Sequence, residues 1–352
     1  MKITRKQTTQ ITLGSIPIGG GAPVSVQSMA KTPTADVGAT VEQCARLARA
    51  GCEIIRLAVP DEEAARALGK IRREVATPLV ADIHFNYRLA LIAMEEGMDG
   101  IRINPGNIGG AERIAEIARA AAARKIPIRV GVNSGSVEQS ILKDHGGPTP
   151  GALAESAITC VKRIEDAGHN LIKISVKASS VTDTIRAYEL VSEITDYPLH
   201  VGVTEAGPPL IAAVRSAAAI GHLLLEGIGD TVRVSVTGDP ICEVEIAKEL
   251  LQSLGLRSFG PTLVSCPTCG RCEIDVVKIV DEVQAAIKNV KADIKVAIMG
   301  CAVNGPGEAR EADVGLAGGK GSGVIFRKGK IVRTVGEKGF VRALIEEIKK
   351  ID

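Results

Sequence analysis

The runs PVSVQSM (23–29), EIIRLAV (53–59), PLVADIHF (78–85), GIRINPG (100–106), PIRVGVN (127–133), LIKISVKAS (171–179), LHVGVTEAG (199–207) and TVRVSVTGDP (231–240) decide the fold of this chain. Each is short and rich in β-branched residues, as a buried strand requires. Between them lie amphipathic stretches such as DEEAARALGKIRREV (61–75) and ALAESAITCVKRIEDAG (152–168), with apolar residues at helical spacing. Strands alternating with helices build βα units on a parallel sheet. Eight such units over about 230 residues predict a TIM barrel. A doubly wound open sheet would have fewer strands and a Gly-rich turn straight after the first. Here Gly19, Gly20 and Gly21 precede that strand instead.

After the eighth unit, a helix through CEVEIAKELLQSLG (242–255) runs into SFGPTLVSCP, a turn-rich joint that marks a boundary. The expected organisation is a barrel over 1–258 and a small α/β domain over 259–352. The second domain is expected to hold a helix at 273–290, a strand KVAIMG (295–300), a Gly-rich hairpin GLAGGKGSGVIFRKGKIV (315–332) and a helix at 338–350. A chain of 352 residues has ample core for both.

Composition narrows the partners. A net charge of +2, with 2% aromatic residues and no Trp, offers neither an electrostatic nor a stacking platform for nucleic acid. The opening MKITRKQTTQITLG has no apolar signal region, and no segment approaches the roughly 18 uninterrupted apolar residues of a membrane span. A cytoplasmic protein is expected. Cys44, Cys52, Cys160 and Cys242 sit in periodic apolar segments and read as reduced core thiols.

Charged and polar residues interrupt the barrel strands, which should be apolar when buried on both faces. They are Arg56, Asp82, His84, Arg102, Arg129, Asn133, Lys177, Glu205 and Ser235. Active sites of barrels lie at the C-terminal ends of the strands, so four cations on four strands predict an anionic substrate there. Guanidinium forks match phosphate oxygens in particular. The junctions NPGNIGG (104–110), GVNSGS (131–136) and KASS (177–180) add small residues where helix N-termini favour anions, and together they point to a diphosphate.

The cysteines CPTCGRC (266–272) and Cys301, within MGCAVNGPGEA, speak for metal or redox chemistry. Thiolates three residues apart in a Pro/Gly turn reach one metal centre together, and a third from a distant strand–loop closes the site. Cys266, Cys269, Cys272 and Cys301 could close a tetrahedral zinc site, and CxxCxxC would equally suit a [4Fe–4S] cluster.

These motifs, with VQSM, IRINPGN, GVTEAG and RVSVTGDP at the barrel strands, resemble the bacterial-type 4-hydroxy-3-methylbut-2-enyl diphosphate synthase family of isoprenoid biosynthesis, over almost the whole chain. The resemblance implies a barrel that binds 2-C-methyl-D-erythritol 2,4-cyclodiphosphate and a C-terminal [4Fe–4S] domain. The implied reaction is a two-electron reductive ring opening with loss of water. It further implies Cys266, Cys269, Cys301 and Glu308 as cluster ligands, with Cys272 outside the set. Arg56, Arg102, Arg129 and Lys177, helped by Asn133 and Ser235, would bind substrate. Glu205 and Asp82 would lie near the reacting carbons, Glu205 as the favoured proton donor from a pocket closed to water, with His84 able to share that role. A ferredoxin or flavodoxin would donate electrons. A homodimer would let the cluster domain of one subunit close the barrel of the other. The contrasting possibility is a zinc-stabilised barrel that binds a ligand without redox activity.

Overall fold

The computed structural model describes residues 3–301 and 311–351. The chain divides into two compact units, Met1–Arg257 and Ser258–Asp352. In the first, β3 (Ser25–Met29), β4 (Ile54–Val59), β5 (Leu79–Ile83), β6 (Gly100–Ile103), β7 (Ile128–Asn133), β8 (Ile172–Lys177), β9 (His200–Val201) and β10 (Thr231–Val232) follow one another in chain order around a parallel sheet. A parallel bridge from Ile174 to Leu199 joins β8 to the start of β9 and closes the ring. The TIM barrel expected from the eight runs is therefore present.

The last two runs form less strand than their composition suggests. β9 and β10 are two residues each, and beyond them the chains stay in register only through single bonds such as Arg233 N–H to the Val201 carbonyl, 3.0 Å. Gly202 explains the close approach there: a methyl at this position would strike the Arg233 carbonyl.

Before the barrel strands the chain forms a hairpin of β1 (Ile11–Leu13) and β2 (Ile16–Ile18), which the eight runs do not include. Its Ile11, Leu13 and Ile18 pack with Ile54 and Val80, at the starts of β4 and β5. The hairpin thus plugs the N-terminal end of the barrel and leaves the C-terminal mouth for ligands.

The second unit is a five-stranded sheet ordered β11 (Thr262–Ser265), β12 (Lys295–Met299), β13 (Val314–Gly319), β14 (Ser322–Arg327) and β15 (Lys330–Gly336). The first three are mutually parallel and the last two antiparallel. β11 lies inside the stretch read as a joint. The helices Val276–Ile287 and Phe340–Ile348 cover one face, shorter at both ends than expected. Alternation along β12 sorts its side chains: Val296 and Ile298 meet Ile279, Val283 and Leu344, while Ala297 and Met299 meet Phe326 on the other face.

Candidate active site

In-register partners on parallel strands share a face, so pairing aligns the barrel's polar residues. Asp82 pairs with Arg102, Arg102 with Arg129, and Arg129 with Lys173, across four consecutive strands. Two pleats further up, Asn133 pairs with Lys177. Asp82, Arg102, Arg129, Lys173 and Lys177 are all buried. The barrel interior therefore carries a ladder of charge where a packed apolar layer is usual.

Asp82 is the hub. Its carboxylate accepts from Arg102 Nη1 at 2.9 Å and lies 3.5 Å from both Arg56 Nε and His84 Nε2. Burial would raise this carboxyl, but Arg56 and Arg102, with a hydrogen bond from His84, hold it well below the usual carboxylate range. It stays ionised at neutral pH and anchors cations; proton donation from Asp82 is not what this environment builds. Arg102 also donates to the Gly131 carbonyl at 3.0 Å. Gly131 makes that possible, because a Cβ there would sit 2.6 Å from Arg102 Nε.

Cations outnumber the carboxylate. Burial lowers Arg56 to about 10 against the pull of Asp82, and burial with Arg56 and Arg102 lowers Arg129 well below its ordinary value. Lys177 is depressed by burial and then by Arg129 and Arg233. Among the described residues its ammonium has no hydrogen-bond partner, and Gly202 leaves room for it, since a Cβ there would come within 2.6 Å of Nζ. The Nε groups of Arg56, Arg102, Arg129 and Arg233 are buried without hydrogen-bond partners. Unsatisfied, uncompensated positive charge of this kind is what an anion would neutralise.

Three further residues line this ladder, the half-buried Arg233 and the buried Lys173 and His200. Arg233 shares its strand face with Ser235, donates to the Ser235 hydroxyl, and is held by Glu243 at 3.3 Å. Lys173 stands four residues before Lys177 on the same face, and His200 accepts from Arg129 Nη1 at 3.1 Å. Burial, then Arg129, keeps His200 far below its usual range, so the imidazole is neutral and its Nε2 accepts. The rule that selected Ser235 and Lys177, a polar residue interrupting a strand that should be apolar, applies equally to Arg233 and Lys173. Arg129 itself lies near the start of β7, deeper than the strand-end position expected for it.

The mouth is less enclosed than the ladder. Glu205, expected in a pocket closed to water, is exposed on the loop after β9 with a positive φ of 54°. No part of the described barrel covers it. Phe85, after β5, is 68% exposed with φ 60° and has its ring centroid 6.1 Å from that of His84. Positive φ at two non-glycine residues on one rim is strain of the kind that collects at functional sites. Asn133 caps the turn Ser134–Ser136: its backbone N–H donates to the Ser136 hydroxyl at 3.2 Å, and that hydroxyl donates to the Asn133 carbonyl at 3.0 Å. Ser235 donates to the Val203 carbonyl at 3.0 Å.

In the second unit, Cys266 follows β11 and Cys301 follows β12, so parallel pairing brings both to one sheet edge. Cys269 is exposed and its thiol is drawn down by the Arg271 backbone N–H and side chain. Thr268 before it has φ 51°, uncommon for a β-branched residue. Gly300 supplies space: a methyl there would strike Cys272 Sγ and lie 3.3 Å from Cys266 Sγ. A cradle lined by sulfur and kept open by glycine fits an iron–sulfur cluster, although among the described residues no three ligand groups already converge on one metal position. Glu308 lies outside the described residues. Cys44, Cys52 and Cys160 are buried, with thiols pushed up to about 12 by burial, as core cysteines are; Cys242 is half-buried.

Comparison with known proteins agrees with this layout. Residues 8–248 match the GcpE TIM-barrel domain and residues 262–350 the GcpE protein C-terminal domain. The 4-hydroxy-3-methylbut-2-en-1-yl diphosphate synthase (flavodoxin) of Thermodesulfovibrio yellowstonii is 53% identical over 99% of this chain and 100% of its own length. That of Geobacter sulfurreducens is 53% identical over 99% and 98%. A solved dihydropteroate synthase from Stenotrophomonas maltophilia covers 71% of this chain and 99% of its own at a TM-score of 0.50 and 14% identity, a likeness of fold alone. A zinc-stabilised barrel without redox activity finds no support in these relationships. The chain belongs to the GcpE family, the 4-hydroxy-3-methylbut-2-en-1-yl diphosphate synthases.

Proposed function

We propose that residues 1–258 bind 2-C-methyl-D-erythritol 2,4-cyclodiphosphate and that residues 259–352 hold a [4Fe–4S] cluster. Together they open the cyclic diphosphate reductively, with loss of water, to 4-hydroxy-3-methylbut-2-enyl diphosphate in isoprenoid biosynthesis. The observation that carries this reading is the ladder of buried Arg102, Arg129 and Lys177 and half-buried Arg56 beside one ionised carboxylate, with unsatisfied N–H groups left over. Arg233 joins these cations, and Asn133 and Ser235 contribute hydrogen bonds. Their roles are to seat the diphosphate and to neutralise charge that grows on it as the ring opens.

When bound, the cluster supplies electrons singly, two per turnover, from a flavodoxin or ferredoxin in the cytoplasm. Cys266, Cys269 and Cys301 would hold it, with Glu308 as the fourth ligand. A carboxylate there would hold iron more weakly than a thiolate does. Glu205 delivers the proton that turns the departing hydroxyl into water; Asp82, kept ionised, orients Arg56 and Arg102. Because Glu205 is exposed in the single chain, excluding water requires a cover. A homodimer in which one subunit's cluster domain closes the other's barrel would provide it.

Anaerobically purified protein should be brown, with about four irons per chain and as much sulfide. One zinc and no sulfide would overturn the reading. The dimer is tested by mixing Glu205→Gln with Glu308→Gln: mixed dimers that share sites between subunits regain one intact site, and no recovery in proven heterodimers would mean that each chain closes its own barrel.

A further inference from the structure

Cys272 has no part in the proposed ligand set, yet the fold places it beside one of the ligands. Gly300 is the meeting point. The Glu273 N–H donates to the Gly300 carbonyl at 2.9 Å, the Gly300 N–H points at Cys266 Sγ at 3.2 Å, and the Cys266 N–H donates to the Ile298 carbonyl at 3.1 Å. The end of β12 therefore holds the segments carrying Cys266 and Cys272 against the same glycine. The place its Cβ would take touches Cys272 Sγ and lies 3.3 Å from Cys266 Sγ, so the sulfurs are less than about 6 Å apart, within a side-chain rotation of bonding. Both side chains are half-buried against the same apolar cluster, whereas Cys269 is exposed.

We propose that Cys266 and Cys272 are a reversible disulfide pair that forms when the cluster is absent and protects a ligand sulfur from irreversible oxidation. The oxidant is a low-molecular-weight disulfide. One cysteine thiol attacks it and releases one small thiol; the second cysteine displaces the other. The two cysteines lose two electrons and two protons in total, and the external disulfide takes up both as two thiols. With the cluster bound, Cys266 is occupied and the reaction is blocked. Without it, the exposed alternative is over-oxidation of a free thiol to sulfinic acid.

The consequence rests on Cys266 being a cluster ligand, which iron and sulfide content of untreated protein tests separately. For the pairing, full-length protein stripped of iron with a chelator is incubated with oxidised glutathione, alkylated and digested with trypsin. Cleavage after Arg271 parts Cys266 and Cys269 from Cys272, so a bond between them joins peptide 258–271 to peptide 272–278. The expected result is that joined pair, with fragmentation assigning the bond to Cys266 and not Cys269. It should persist in Cys269→Ser, vanish in Cys266→Ser, and be absent from iron-loaded protein. Dithiothreitol should restore the thiols and the capacity to take up iron. Glutathione adducts without a joined pair, or a bond assigned to Cys269, would overturn the proposal.

Discussion

The barrel ladder and the cysteine edge both collect groups that dislike isolation, but the fold treats them differently. In the barrel, Asp82, Arg102, Arg129 and Lys173 are locked by strand register and buried, and Gly131 and Gly202 leave room for Arg102 and Lys177. At the cysteine edge, Cys269 is exposed and Thr268 holds a positive φ. An anion site must be finished before its ligand arrives, because uncompensated charge can be buried only by a fold that already supports it. A metal site can be finished by its metal, since the binding energy also orders the ligands.

This contrast is broken most forcefully at the cysteines. Serine at Cys266, Cys269 or Cys301 should abolish iron binding and all turnover, while the barrel still binds the cyclic diphosphate within about threefold of normal, as expected where metal binding orders only its own site. Serine at Cys272 should leave iron content of freshly prepared protein nearly intact. Iron and sulfide analysis with isothermal titration of the diphosphate checks both. Loss of diphosphate affinity in the serine variants would show that the two sites are built together.

The reverse experiment is Arg102→Met. It leaves Asp82 facing only Arg56 and His84 and removes a guanidinium from the site; breaking such a buried pair costs about 3–5 kcal/mol. Diphosphate affinity should fall by two orders of magnitude or more, with the visible spectrum of the cluster unchanged. Undiminished affinity would remove Arg102 from the site.

How much of this was readable in advance follows from the same contrast. β-branched runs separated by amphipathic stretches disclose a barrel because burial on both faces forces that composition. The hairpin Ile11–Ile18 and the strand Thr262–Ser265 are three or four residues per strand and flanked by Gly, Pro and Cys, too short to show a period. Arg56, Arg102 and Lys177 stand out because a charge in a buried strand is costly. Arg233 and Lys173 were equally visible by that rule and passed over. Gly131 and Gly202 could not be found that way, since their importance lies in which side chain from another strand occupies the space beside them. Nor does sequence indicate that Glu205 is exposed, which depends on what covers a loop.

Gly131→Ala sharpens the comparison more gently. Its methyl would lie 2.6 Å from Arg102 Nε, so the guanidinium must swing away from the Gly131 carbonyl and loosen its bond to Asp82. Misplacing one charge-assisted hydrogen bond is worth about 1.5–3 kcal/mol, so KM should rise by roughly ten- to a hundredfold while kcat changes little. Overpacking also lowers Tm. If the kinetic constants are normal, the ladder tolerates displacement and its geometry is not what sets affinity.

The smallest effect separates what the ladder needs for binding from what it merely endures. Lys173 lies at the floor of the barrel, beneath the proposed site, beside a small cavity shared with Gln27, Arg129 and Leu13, and its ammonium has no hydrogen-bond partner. Burial, then Arg129, lowers it from 10.5 to about 7, with only Asp230 opposing. Between pH 7 and 10.5 the unfolded chain holds a proton that the folded chain does not, so this residue makes stability rise with pH across that window. Below pH 7 both states are protonated and the full penalty of the buried charge is present. Lys173→Met should therefore raise Tm most at pH 6 to 7, where each kcal/mol relieved is worth about 2–4 °C in a unit of this size, and the gain should fade towards pH 10. Scanning calorimetry of both proteins across that range measures it. A variant less stable at every pH would mean that Lys173 finds compensation in the folded barrel, and that even the floor of the ladder is built to keep its charge.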